Sequence, residues 1–144
     1  MLSIITKAAS NFCEHQIKTP YTFKTTIPKM RIVLASIEII ESNKVHTVYL
    51  GISKELLQQI CNIFLFEDES DDETLQGLLL ETTNMIVGSA KVLAQDSNDL
   101  KVFNIKTPIY LETKRFNHPY DAMSRMVLDD GNILIAMKEK NATF

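Results

Sequence analysis

Glycine is scarce in this chain of 144 residues, with four in all, and none falls in a GxxxxGK or GxGxxG setting. A glycine-rich loop cradling a nucleotide's phosphates is therefore excluded. Cysteine is scarcer still. Cys13 and Cys61 lie in separate apolar stretches without CxxC spacing, which reads as two buried free thiols of a reducing compartment. Positive charge is not in excess either, because 15 basic side chains face 18 acidic ones for a net charge of −3. That balance argues against nucleic acid or an anionic membrane surface as partner. No stretch approaches the ~20 apolar residues of a membrane-spanning helix, and the first residues lack the regions of a signal peptide. The expectation is a cytoplasmic protein with no membrane insertion. His15, His46 and His118 show no HxxxH or HExxH spacing, so no metal site is expected.

What is present is a globular composition, 45% apolar and 23% charged, in a length that fits one domain over residues 1–144. Ile4, Ile5, Ala8, Ala9, Phe12 and Cys13 recur at three- and four-residue spacing and predict a helix over 2–17. Thr19-Pro20 ends it, since a residue before proline is pushed out of the helical region. Residues 21–27 alternate as a strand, and 31–41 and 44–52 are β-branched runs parted by Ser42-Asn43, a hairpin signal. Ser53 is placed to cap a helix carrying Leu56, Leu57, Ile60, Ile63 and Phe64 on one face. The run EDESDDE at 67–73 has six acidic residues of seven and reads as a solvated loop entering the positive end of the next helix. Beyond that helix, residues 101–107 and 109–114 read as strand around Pro108, and 117–120 as a turn. Residues 123–128 and 133–138 form a second hairpin around Asp129-Asp130-Gly131-Asn132. This order predicts an α+β fold, an antiparallel sheet packed against long helices.

The longest helix is expected over 71–95. At about 100° per residue, Leu78, Leu79, Thr82, Ile86, Ser89, Ala90 and Leu93 fall within about 60° of Leu75 and make the buried stripe. Glu81 and Asn84 fall on the opposite face, at the i,i+3 spacing of helical neighbours. Gly77 and Gly88 share that face, each at a cost of about 1 kcal/mol relative to alanine. Two outward glycines have two explanations. Either another element of the same chain packs closely on them, or they clear a face for a partner's backbone or loop.

Residues 80–94, LETTNMIVGSAKVLA, resemble the signature helix of the CheC/CheX/FliY family of chemotaxis phosphatases, and most of all its CheX branch. In that family a Glu-x-x-Asn motif on a surface helix precedes an apolar pair, a glycine and a small-residue-plus-lysine run. Here these are Glu81, Asn84, Met85-Ile86, Gly88 and Ser89-Ala90-Lys91. Gly77 stands where the family usually has Asp or Ser, and Glu14 is followed by Ile17 at the third place, so the first helix offers no second motif. That is similar to the one-site CheX pattern. The resemblance implies a CheX/CheC-like fold and hydrolysis of the aspartyl phosphate on a phosphorylated CheY-type response regulator, ending chemotaxis signalling. It implies that Asn84 positions the attacking water and Glu81 docks the receiver's active-site lysine. Gly77 and Gly88, by their place on the same helix face rather than by the resemblance, are then expected to leave room for the receiver's loops. Mg²⁺ would be held by the receiver domain, with no cofactor bound by this chain, and a homodimer through sheet edges is expected. The alternative is a non-catalytic module of the same family that binds a receiver domain or a flagellar switch component.

Overall fold

The structure, a computed structural model, describes residues 1–96, 103–129 and 131–141. The first apolar stripe forms α1 (Leu2–Asn11), which runs on without a break into one π-helical turn over Phe12–Gln16. The expected helix is thus present, with its last turn widened. The Ile17 N–H donates to the Phe12 carbonyl at 3.2 Å, five residues back, and Ile5, Ala8, Ala9, Phe12 and Cys13 are buried.

The strands are β1 (Thr22–Lys24), β2 (Ile32–Glu41), β3 (Lys44–Ile52), β4 (Phe103–Ile105), β5 (Ile109–Lys114), β6 (Ala122–Leu128) and β7 (Gly131–Asn141). They form one sheet in the order β1-β6-β7-β3-β2-β4, with β5 also on β2. Every pairing is antiparallel. Strand β4 pairs with residues 39–41 of β2 and β5 with residues 32–36, so the two short strands share one edge. The β2–β3 hairpin turns at Ser42-Asn43 as expected, with Glu41 opposite Lys44 and Ser42 at φ 54.

Side chains alternate across a strand, and that alternation sorts the core. Val33, Ala35, Ile37 and Ile39 of β2 join the main core with α1, α2 (Lys54–Leu65) and α3 (Asp72–Asp96). Ile32 and Leu34 point the other way, into a smaller cluster with Leu134, Ala136 and Phe116. The helices therefore cover one face of the sheet, which is the α+β arrangement expected. Cys13 and Cys61 are buried free thiols in the main core.

Four local expectations need correction. The strand expected over 21–27 is only three residues long. Beyond it, the Arg125 guanidinium takes the Thr26 carbonyl (3.2 Å) and hydroxyl (2.9 Å) in place of a ladder bond. Ser53 precedes α2 but makes no side-chain cap bond; its hydroxyl accepts from the Asn132 N–H at 2.8 Å. Asn132, expected in the turn, lies in β7, which begins at Gly131. Gly131 sits at φ +152, and a Cβ there would stand 2.5 Å from Ser53 Cβ, so this tight approach admits glycine alone. The stripe of α3 is also turned from the one expected: Ser89 is exposed and Leu93 half-buried, while Thr83, Val87 and Ala94 are buried. Residues 97–102, including the start of the strand expected over 101–107, and Asp130 of the second turn lie outside the described residues.

Candidate functional site

The loop of acidic residues delivers α3 in a fixed position. Gln58 of α2 clasps it, donating to the Glu67 carbonyl (3.1 Å) and accepting from the Ser70 N–H (2.9 Å). The Asp71 carboxylate then accepts from the Thr74 N–H at 2.7 Å and caps the helix. Hydrogen bonds from the Thr74 side chain and then its backbone hold the Asp71 carboxyl below its usual pKa. Glu81 lies nine residues into α3 from Asp72, so at 1.5 Å per residue the acidic loop is about 13 Å away along the helix axis.

Thr82 and Thr83 set the direction of the pair between which they lie. Both are wholly buried, and the Thr83 hydroxyl donates to the Leu79 carbonyl at 2.8 Å. With those two positions turned inward, Glu81 and Asn84 face out, and both are exposed. Neither side chain makes a hydrogen bond or ion pair among the described residues. Neighbours at i,i+3 on a helix have Cβ atoms about 5–6 Å apart, so one carboxylate and one carboxamide stand together.

Gly77 is exposed and Gly88 half-buried on the same side. A Cβ added to either meets nothing within 4 Å. Close packing within the described chain therefore explains neither glycine, and the first of the two explanations offered by the sequence fails. Met85, which opens the motif's apolar pair, and Val92, which stands outside the motif, are 42% and 54% exposed on the flank of the same ridge. Their helical angles, about 280° and 260° from Leu75, place both off the buried stripe.

The remaining candidate groups stay apart. His15 is exposed in the π-helical turn, His46 is buried on β3 with Nε2 3.4 Å from a Glu41 carboxylate oxygen, and His118 stacks on Tyr49 with ring centroids 4.6 Å apart. Among the described residues no three His, Cys, Asp or Glu side chains gather as a metal site. Among them, too, no helix is long and apolar enough to cross a membrane. Burial, followed by the neighbouring Glu14 charge, pushes the Cys13 thiol up to about 12, so it is protonated and a poor nucleophile at neutral pH.

An antiparallel sheet covered on one face by α1, α2 and α3 is the fold of CheX- and CheC-like chemotaxis proteins. The chemotaxis protein CheX from Vibrio vulnificus superposes with a TM-score of 0.80 at 16% identity, covering 96% of this chain and 95% of that one. A CheC-like superfamily protein from Shewanella sp. PV-4 gives 0.78 at 21% identity over 96% of both chains. The CheX–CheY–BeF3–Mg²⁺ complex from Borrelia burgdorferi gives 0.71 at 16% identity, covering 96% of this chain and 97% of that one. No curated protein sequence matches. The family model described as chemotaxis phosphatase CheX matches residues 33–129. The chain belongs to the CheX family.

Proposed function

We propose that this protein hydrolyses the aspartyl phosphate of a phosphorylated CheY-type response regulator and so ends a chemotaxis signal in the cytoplasm. The observation that carries this reading is the exposed, unengaged pair Glu81 and Asn84 on a ridge kept clear at Gly77 and Gly88. A pair of this kind lacks the enclosing walls of a small-molecule site and suits insertion into another protein's pocket.

Phosphoryl transfer through a loose transition state leaves little covalent work to a helper, and positioning is what remains. The receiver supplies Mg²⁺, its carboxylates and the phosphoryl group. A water oxygen bonds to phosphorus in line with the aspartyl oxygen, the O–P bond breaks, and its electron pair returns to the aspartate as inorganic phosphate leaves. Asn84 has no useful pKa, so it orients this water through its amide oxygen and NH₂ group and removes no proton. Glu81 pairs with the receiver's lysine, a charge-assisted contact that fixes the register of Asn84. Intramolecular positioning of this kind lowers barriers by up to roughly 7–11 kcal/mol in the best cases.

The test is the lifetime of the phosphorylated receiver with and without this protein. Loss of one positioned transition-state partner costs about 10²–10³ in rate, so Asn84→Ala brings dephosphorylation close to the receiver's own rate and leaves most binding intact. Glu81→Ala weakens binding as well, about ten- to 150-fold for a lost charge-assisted bond of about 1.5–3 kcal/mol. Dephosphorylation by Asn84→Ala at the parent rate removes the proposal. A homodimer belongs to the same reading, with the sheet edges that carry Phe23 (54% exposed) and Ile109 (61%) as its candidate seams. Light scattering on the eluting protein gives twice the chain mass if it is right and the chain mass if it is wrong.

A further inference from the structure

Beside the ridge runs a groove of about 150 Å³ between α1 with its π-helical turn and α3. Ala8, Phe12, Met85 and Ile86 give its apolar lining, and Asn11, His15, Gln16 and Ser89 its polar part. We infer that this groove is an anchor pocket for one apolar side chain of the receiver domain engaged by Glu81 and Asn84. The inference rests on the docking reading above and adds the second contact that such docking needs.

Size selects the occupant. Metabolite and cofactor sites run to about 300–1,000 Å³, whereas a space near 150 Å³ takes a benzene ring, the bulk of one Phe or Leu side chain. The lining agrees, because an apolar floor with a polar rim is the form of a hot-spot pocket. Its floor is already built: Ala8, Phe12 and Ile86 are buried at 2%, 5% and 1% exposure. The widened turn at Phe12–Gln16 holds its part of the lining in a form frequent at functional sites. Continuity favours the receiver over a second copy of this chain. Met85 follows Asn84 directly and sits one turn from Glu81 on the groove side, so a protein covering the pair also covers the groove. The sheet edges, where Phe23 and Ile109 are exposed, lie on other elements.

The experiment uses Ser89→Trp, which fills the groove from an exposed rim position, with Glu55→Trp on α2 as a control of equal bulk. The probe is a CheY-type receiver domain carrying beryllofluoride, a stand-in for its phosphoryl group, with Mg²⁺. Ser89→Trp is expected to weaken receiver binding at least tenfold and to raise KM for the phosphorylated receiver in step, with kcat unchanged; Glu55→Trp keeps the parent values. Asn84→Ala gives the reverse pattern, with kcat lost and binding kept. Parent-like binding by a folded Ser89→Trp overturns the inference, as does a change in the protein's own oligomeric mass, which would assign the groove to a second copy. Complete failure of the parent to bind the receiver overturns it too. Binding weakened by Ser89→Trp in a protein that hydrolyses nothing upholds the pocket while removing the proposed hydrolysis.

Discussion

Replacing Gly77 and Gly88 by alanine should make the protein more stable and less active. Both glycines lie inside α3, and an added Cβ at either meets nothing within 4 Å. No clash therefore offsets the intrinsic gain of alanine over glycine in a helix, about 0.8–1 kcal/mol per site. The sites are eleven residues apart, about 16 Å along the axis, so their effects should add. The double variant then gains about 2 kcal/mol, a rise in Tm of several degrees for a chain of this length. At the partner's surface the same methyl groups intrude where close approach is proposed. Overpacking costs about 1–3 kcal/mol, equivalent to about five- to 150-fold weaker association. Calorimetry reads the first effect and receiver-phosphate lifetime at sub-saturating protein reads the second. A variant that gains stability and keeps full activity refutes the cleared-ridge argument. One that loses stability would mean that the glycines serve the fold after all.

The other outcomes concern the scaffold. Gly131→Ala should destabilise by more than about 2 kcal/mol, since φ +152 and a 2.5 Å approach to Ser53 Cβ leave no room; denaturant titration measures it, and a near-parent midpoint contradicts it. Stability should fall at both ends of the pH scale. Side-chain and then backbone bonds at Thr74 hold Asp71 below its usual 3.8, and the Glu139 N–H and then Lys138 do the same for Asp121. Their contribution is complete above that value and disappears as pH falls through the lowered folded values. Cys13, raised from 9.0 to about 12 by burial first and Glu14 second, acts in the opposite sense: its share is complete below 9 and is lost as pH rises towards 12. Thermal melts across pH show whether both limbs are present.

Much of this architecture could be read from local pattern. The β2–β3 hairpin falls on its two turn residues, and α3 begins and ends within one residue of its expected bounds, because β-branched runs and helical periodicity are properties of neighbouring residues. The failures are tertiary. Ser53 looks like a cap until β7 brings Asn132 alongside it, and Thr26 leaves its strand for an arginine 99 positions away. The buried arc of α3 is turned away from Ser89 because α1 leaves a groove there. At the site, outward placement of Glu81, Asn84, Gly77 and Gly88 followed from spacing alone. The groove did not, because Ala8 and Ser89 meet only once the chain is folded.

The two wholly buried threonines that separate Glu81 from Asn84 also limit how this surface can change over time. A helix indexes its side chains in steps of about 100°, so deleting either threonine would put the amide where Thr83 now points, inside the protein. Acid and amide cannot drift apart one position at a time without dragging core residues into water. Natural variation should therefore touch the ridge by substitution and leave the count of residues between its two polar ends at two.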